Sequence, residues 1–178
     1  MKIALAGFMG CGKSSIARRL SHELGYQMID LDKFIEEGEK KSIADIFEKE
    51  GEGGFRLTEK KYLRIVLKKE NTVIALGGGT PCYFDNMRLI MKNTCSVFLK
   101  ISISELHRRL RKEQTKGNRP LINKFSSGEL LHFIKSRLKA REKFYLQADI
   151  IVRAGMKSEA EIVDGIKKRI FFREHQVR

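Results

Sequence analysis

The stretch Gly7-Phe8-Met9-Gly10-Cys11-Gly12-Lys13-Ser14 matches the pattern G-x-x-x-x-G-K-[ST] at every position. It follows an apolar run at residues 3–6, which is typical of a short buried strand. The residues after it repeat apolar side chains at helical spacing, at Ile16, Ala17, Leu20 and Leu24. Between a strand and a helix, the glycines of this pattern let backbone N–H groups surround a phosphate, and the helix adds the positive end of its dipole. We therefore predict a phosphate-binding loop.

The residues at the end of this loop indicate which phosphate compound it binds. Lys13 is placed to reach the β- and γ-phosphates of a nucleoside triphosphate, and Ser14 to hold Mg²⁺. We expect the nucleotide contacts to come from Gly10, Cys11, Gly12, Lys13, Ser14 and Ser15. A dinucleotide-binding loop would need a glycine where the chain has Ser15, so we exclude that class of site.

The rest of the chain alternates apolar runs with amphipathic stretches. Runs typical of buried parallel strands lie at residues 28–31, 72–76, 96–101 and 149–152. Alternating strands and helices predict a three-layer α/β fold, with a five-stranded parallel sheet flanked by helices. The 178 residues suit a single domain. Within it we expect a helical acceptor-binding insert at 33–70 and a mobile, polar lid at 112–125.

Composition excludes several classes of protein. Three cysteines are too few and too far apart for a disulfide scaffold, and no C-x-x-C or histidine spacing suggests zinc. No apolar run is long enough to cross a membrane, and the start lacks the features of a secretory signal, so we expect a cytoplasmic protein. The net charge of +14 comes mostly from interleaved acids and bases, with basic segments at 108–124 and after position 166. Such segments bind polyphosphates as readily as nucleic acid, so we expect no nucleic-acid partner.

Two carboxylates close the second predicted strand, in Asp30-Leu31-Asp32. Ligands of open parallel sheets sit at the carboxyl ends of strands, and alternation would place both side chains on one side of the chain. One carboxylate could complete a magnesium shell, while the other accepts a proton from an acceptor hydroxyl. The alternative is that Asp32 is only the N-cap of the next helix.

Three further features point to the acceptor. Arg56 and Glu59 are three residues apart on a predicted helix, so the carboxylate could orient the guanidinium, although this spacing is also that of ordinary surface ion pairs. Gly77-Gly78-Gly79 ends a strand and would let a ligand approach the backbone, although a simple turn needs only one glycine. Arg119, in the polar loop, could fold over the phosphates or merely be solvated. The four histidines show no partner spacing.

These motifs together resemble those of the shikimate kinase family, over positions 3 to about 152. The resemblance implies the nucleoside-monophosphate-kinase fold and transfer of the γ-phosphoryl group of ATP to the 3-hydroxyl of shikimate, with Mg²⁺. It implies catalytic roles for Lys13, Asp32 and Arg119. It places Ser14 and Asp30 at the metal and Arg119 also at ATP. The implied shikimate contacts are Asp32, Arg56, Gly78, Gly79 and Arg141.

The resemblance is incomplete in one motif. The family carries its second carboxylate-binding arginine in an R-x-P-L-Y run, and Arg141-Glu142-Lys143-Phe144-Tyr145 lacks the proline and the leucine. Either Arg109 or Arg111 is expected to stack on adenine. We expect ATP and shikimate to be the partners of a monomer. The alternatives are a kinase of gluconate or of nucleoside monophosphates on the same fold, and a nucleotide-dependent nucleic-acid-binding module.

Overall fold

Five parallel strands form the central sheet of the computed structural model, which describes residues 1–115, 120–123 and 125–176. The strands are β1 (Lys2–Ala6), β2 (Gln27–Asp30), β3 (Thr72–Ala75), β4 (Cys95–Lys100) and β5 (Ile150–Arg153). Their order in the sheet is β2-β3-β1-β4-β5, and all neighbouring pairs are parallel. Because β1 is the middle strand, the loop that follows it lies at the centre of the carboxyl edge of the sheet.

Helices connect the strands. They are α1 (Lys13–Leu24), α2 (Leu31–Glu39), α3 (Ile43–Val66), α4 (Asn86–Asn93), α5 (Ile103–Gln114), α6 (Pro120–Asn123), α7 (Ser127–Tyr145) and α8 (Glu159–Gln176), with a 3₁₀ turn at Thr80–Cys82. Serine side chains cap the starts of four helices, at Ser42, Ser102, Ser126 and Ser158. Each accepts a hydrogen bond from the backbone N–H three residues on, which satisfies a donor that the helix leaves free.

The two faces of the sheet carry separate apolar layers. Ile3 and Leu5 of β1 pack in a cluster with α1, α5 and α8. Ala4 and Ala6, which alternate with them, pack on the opposite face in a cluster with α2, α3 and α4. This alternation follows from the two-residue period of a strand. The predicted three-layer α/β fold with a five-stranded parallel sheet is thus confirmed.

Several boundaries differ from those that the sequence predicted. β2 ends at Asp30 instead of position 31, since Asp30 caps α2. The helical insert includes one long element, α3, which is kinked at Gly51, where φ is 69°. Leu57 of that helix is 62% exposed. α4 was not predicted, because its short apolar pattern rests mainly on Met87 and Ile90.

The predicted insert and lid differ in how far they can be followed. Most of residues 33–70 lies in α2 and α3, as expected of a helical insert. The predicted lid at 112–125 begins inside α5, which continues to Gln114. Residues 116–119 and 124 fall outside the described part, so the mobility and closure of the lid stay predictions. In the described ranges, no helix is both long and apolar enough to cross a membrane.

Candidate active site

The predicted phosphate loop, residues 7–14, turns sharply between β1 and α1. Gly10 and Gly12 have φ values of 78° and 94°, in the left-handed region that favours glycine. A β-carbon on Gly10 would lie 2.9 Å from Cδ2 of Leu110, so α5 packs directly against the loop. Both the backbone conformation and this packing therefore require glycine at position 10.

The side chain of Lys13 folds back over the loop. Its Nζ donates hydrogen bonds to the carbonyl oxygens of Gly7 and Phe8, at 2.8 and 3.1 Å. Nζ also lies 3.8 Å from Sγ of Cys11, whose side chain is buried. The cysteine therefore fills the inside of the loop. The ammonium group thus takes its hydrogen-bond partners from the backbone of the loop, and Lys13 also lines the cavity beside it.

The two predicted metal ligands meet. Oγ of Ser14 donates a 2.8 Å hydrogen bond to Oδ2 of Asp30, although the residues are 16 apart in sequence. A hydroxyl and a carboxylate are oxygen donors of the kind that Mg²⁺ prefers, and this ion usually takes its other ligands from water and substrate phosphates. Within residues 1–115, 120–123 and 125–176, no group of three or more His, Cys, Asp or Glu could hold a metal. The pair therefore fits Mg²⁺ held jointly with a nucleotide.

Asp30 lies at the end of β2, as expected, whereas Asp32 lies beyond the strand. Asp30 is the N-cap of α2 and its Oδ1 accepts from the N–H of Lys33 at 3.5 Å, so the capping alternative considered for Asp32 belongs to Asp30. Asp32 lies in the first turn of α2 instead of a strand, and both carboxylates still line one cavity. Burial, followed by the charges of Asp30 and Glu59, raises the pKa of Asp32 to about 6. A carboxyl with such a pKa can exchange a proton near neutral pH.

A cavity of about 480 Å³ runs along the phosphate loop to these carboxylates. Its lining includes the predicted nucleotide residues Gly10, Gly12, Lys13, Ser14 and Ser15, together with Gly78. Arg108 and Arg109 of α5 line its other side. Arg109 reaches the carbonyl oxygen of Cys11 with Nη1 and that of Gly155 with Nη2, at 3.4 Å each. Of the two lid arginines considered for adenine, Arg109 therefore lies at the cavity, while the described lining does not include Arg111.

Arg56 and Glu59 form a buried ion pair, not a surface one. Nη1 of Arg56 lies 2.9 Å from Oε2 of Glu59, and the two side chains are 9% and 1% exposed. The other carboxylate oxygen of Glu59 accepts from Oγ1 of Thr80 at 2.6 Å. A buried carboxylate with these two partners is held in one place, so Glu59 fixes the orientation of Arg56.

Each glycine of the run 77–79 faces a different charged side chain. A β-carbon would lie 2.6 Å from Oδ1 of Asp32 at Gly77, and 2.8 Å from Nη2 of Arg56 at Gly79. At Gly78 it would lie 3.6 Å from Nη1 of Arg141. The absence of side chains at Gly77 and Gly79 thus lets Asp32 and Arg56 approach the backbone, and Arg141 lies in ordinary contact distance of Gly78. More than one glycine is needed here, so the simple turn considered as an alternative is not the reason for the run.

Arg141 reaches this segment from α7. Its guanidinium lies 5.8 Å from the centre of the Phe8 ring. One helical turn on, the hydroxyl of Tyr145 donates a hydrogen bond to the carbonyl oxygen of Gly78. Tyr145 is the tyrosine of the incomplete R-x-P-L-Y motif. It therefore anchors α7 to the glycine run although the proline and the leucine are missing. Arg119 lies outside the described residues, and its expected contact with ATP stays a prediction.

Some residues at the site had no assigned role in the sequence. Glu52 pairs with Arg56 through Nη2 at 3.3 Å, and the centre of the Tyr83 ring lies 4.1 Å from the same guanidinium. Thr80 and Tyr145 hold Glu59 and Gly78 as described above. The position of Glu52 four residues before Arg56 was a usable signal. The positions of Thr80 and Tyr83 depend on the turn after β3 and had no local signal.

Comparisons with known proteins agree with this geometry. The family model for shikimate kinase matches residues 9–171. The shikimate kinase of Azobacteroides pseudotrichonymphae is 41% identical over 170 residues, which cover 95% of this chain and 99% of the relative. The crystal structure of shikimate kinase from Bacteroides thetaiotaomicron superposes with a TM-score of 0.91 at 35% identity, covering 96% of this chain and 98% of that one.

A second solved structure contains the acceptor. Shikimate kinase from Acinetobacter baumannii, in complex with shikimate, is 28% identical, with a TM-score of 0.85 and coverage of 97% of this chain and 93% of that one. The family model, these relatives and both structures agree on shikimate kinase. The chain belongs to the shikimate kinase family, the ATP-dependent kinases that phosphorylate shikimate in aromatic amino-acid biosynthesis.

Proposed function

We propose that this chain performs the family's transfer of the γ-phosphoryl group of ATP to the 3-hydroxyl of shikimate with the residues placed above. The observation that carries the assignment of roles is the shared cavity, in which the phosphate loop, Asp32 and Gly78 line one continuous space. Phosphoryl transfer depends mainly on positioning and charge neutralisation, and this cavity supports both.

On the nucleotide side, the N–H groups of residues 10–15 bind the phosphates of ATP at the start of α1. Lys13 leaves the carbonyl oxygens of Gly7 and Phe8 and contacts the β- and γ-phosphates. Ser14 and Asp30 hold Mg²⁺, which when bound neutralises phosphate charge. Arg109 lies beside the adenine, as its place at the cavity and its contact with the loop suggest. Arg119, by resemblance to the family, closes over the γ-phosphate.

On the acceptor side, Arg56 and Arg141 bind the shikimate carboxylate from two sides of the glycine run. Asp32 accepts a hydrogen bond from the reacting hydroxyl. With a pKa of about 6, this carboxyl is ionised at neutral pH and can take the proton as the phosphoryl group transfers. The charge of Lys13 lowers the same pKa, which supports a position of the proton acceptor beside the phosphates.

Every contact in this scheme comes from one copy of the chain. We therefore propose that the enzyme acts as a monomer, and that the cytoplasm, where ATP is available, is its compartment. Sedimentation at micromolar concentration checks the first statement. A dimer that dissociates without loss of turnover would leave the assigned residues intact, whereas loss of turnover on dissociation would contradict a site built from one chain.

Release of ADP from Mg-ATP tests the acceptor. We expect release to rise strongly with shikimate and to stay at the background level with gluconate or nucleoside monophosphates. Shikimate 3-phosphate is identified by phosphorus NMR. If another acceptor alone stimulates ADP release, the roles of Arg56, Arg141 and the glycine run are wrong, while the nucleotide site stands.

A further inference from the structure

The charge of Arg56 is already matched by carboxylates of the protein. Nη1 pairs with Glu59 at 2.9 Å and Nη2 pairs with Glu52 at 3.3 Å. The guanidinium also lies against the ring of Tyr83, at 4.1 Å from its centre. An acceptor carboxylate that approaches Arg56 therefore meets an arginine with two anionic partners, one on each terminal nitrogen.

The two partners differ in how readily they can leave. The Glu59 side chain is 1% exposed and its other oxygen is bound to Thr80, so without Arg56 it would be a buried, unbalanced charge. The Glu52 side chain is 50% exposed and can be solvated by a small rotation. An exposed ion pair costs little to break, because water replaces the lost partner. Of the two carboxylates, only Glu52 can exchange with a ligand at low cost.

A hydrogen bond keeps Glu52 at this place. The hydroxyl of Tyr83 donates to Oε1 of Glu52 at 2.6 Å, the same oxygen that faces Arg56. This bond lowers the pKa of Glu52, so the group is an ionised carboxylate at neutral pH. Gly51, with φ 69°, comes directly before Glu52, and a β-carbon on either Gly51 or Gly53 would have no neighbour within 4 Å. The segment around Glu52 thus has room to move.

The charges at the acceptor site also favour an exchange. Arg56, Arg137 and Arg141 bring three positive charges, while Glu52, Glu59 and Asp32 bring three negative charges when all are ionised. An anionic acceptor entering this balanced set would add one negative charge. If Glu52 leaves Arg56 as the acceptor arrives, the number of carboxylates around the guanidinium stays constant.

We propose that Glu52 is an internal stand-in for the acceptor carboxylate, bound to Arg56 in the empty site and displaced into water when shikimate binds. Tyr83 holds the stand-in in place. The inference rests on the proposed role of Arg56 in binding the shikimate carboxylate. Its consequence is that Glu52 weakens acceptor binding, because part of the interaction between Arg56 and shikimate replaces an existing ion pair.

Calorimetric titration of Glu52→Gln with shikimate tests the stand-in. Glutamine keeps the size and can still accept from Tyr83, but it lacks the charge. We expect about two- to fivefold tighter binding, the range of a partly exposed ion pair, with KM lowered and kcat unchanged. Damage to the fold would weaken binding, so the direction of the change separates the stand-in from a structural role. Unchanged or weaker binding overturns the proposal.

Two further variants keep the result specific. Glu48→Gln, an exposed position on α3, removes the same charge and should leave the shikimate affinity unchanged, which excludes a general effect of net charge. Tyr83→Phe should tighten binding in the same direction, and the double variant with Glu52→Gln should add little to the single one. Fully additive effects would show that the two residues act separately and would contradict the proposal that Tyr83 holds the stand-in.

The proposed function has its own failure. If Arg56→Ala leaves the shikimate affinity of the wild type unchanged, the role of Arg56 is wrong and the stand-in has no basis. If Arg56→Ala weakens binding while Glu52→Gln does not tighten it, Arg56 keeps its role and only the stand-in is wrong.

Discussion

The nucleotide half and the acceptor half of the site are built in different ways. The nucleotide half is mostly one continuous segment, residues 7–15, and in the empty site Lys13 is bound to backbone carbonyls. The acceptor half combines side chains from α2, α3, the turn after β3, and α7. Its charges pair with each other, above all Arg56 with Glu59. The nucleotide half is thus formed by the backbone of one local segment, whereas the acceptor half depends on the packing of distant elements.

This difference predicts how each half responds to substitution. A side chain that contacts only its own loop can be removed with little effect on the rest of the fold. A side chain that neutralises a buried partner cannot, because the partner remains as an unbalanced charge. In the nucleotide half, activity and stability should therefore separate. In the acceptor half they should fall together where the removed side chain balances a buried charge, as Arg56 does for Glu59, and not at Arg141.

Lys13→Ala is the strongest test of the first half. We expect kcat/KM to fall by about 10³-fold or more, since the ammonium group is a preorganised charge on the transferring phosphoryl group. Affinity for shikimate should stay within about twofold and the melting temperature should change little. Kinetics, shikimate titration and thermal unfolding of the same preparation check this. Lys168→Ala, which removes an exposed lysine of α8, is the matched control. Retained turnover would refute the assignment of the phosphate loop.

Arg56→Ala and Arg141→Ala test the second half side by side. Each removes a charge-assisted contact to the acceptor, so we expect shikimate affinity to fall about 10- to 100-fold in both. Arg56→Ala should also lower the free energy of unfolding by about 3 kcal/mol, because Glu59 loses its partner. Adding Glu59→Gln to Arg56→Ala should restore part of the stability without restoring affinity. Urea unfolding measures the stability of each variant and calorimetry its affinity for shikimate. Equal stability losses in the two single variants would contradict the view that only Arg56 balances a buried carboxylate.

The same difference explains what the sequence could predict. The phosphate loop and the strands are local patterns, and the structure has the strands where the sequence predicts them, to within about one residue at each end. The proximity of Ser14 and Asp30 was predictable as well, since one follows β1 and the other ends β2, so both lie at the carboxyl edge of the sheet. The motif Arg56-x-x-Glu59 gave the spacing of an ion pair but not its burial, which depends on how α3 packs over the turn at Thr80.

Other features had no signal along the chain. Which of Asp30 and Asp32 caps α2 depends on where β2 ends. For a strand of four residues, the sequence leaves that end uncertain by one or two positions. The stacking of Tyr83 on Arg56 joins residues 27 apart through a turn whose direction follows from packing. Glu52 is an intermediate case. Its spacing to Arg56 can be seen in the sequence, whereas the exposure of its side chain depends on how the chain packs.

Asp32 lies where the two halves meet. Its replacement should raise the free energy of unfolding, whereas the replacement of Arg56 should lower it. Its folded-state pKa of about 6 lies above the ordinary value of 3.8, so the folded protein binds this proton more tightly than the unfolded chain. This proton's contribution to stability is complete below about pH 4 and is lost as the pH rises through about 6. At neutral pH the ionised carboxylate therefore destabilises the fold. Replacing it with a neutral group should relieve that cost.

We expect Asp32→Asn to unfold at higher urea concentration than the wild type at pH 7.5, by about 1–3 kcal/mol, and to match it near pH 4. Asp164→Asn, the same change at an exposed position of α8, should show no such pH-dependent gain. Equal differences at both pH values would mean that the carboxylate is not strained by burial. A stability gain confined to neutral pH, in a variant without turnover, would show that the protein keeps its proton acceptor at a cost in stability. The ion pair of Arg56 and Glu59 has the opposite effect, because removing Arg56 lowers stability.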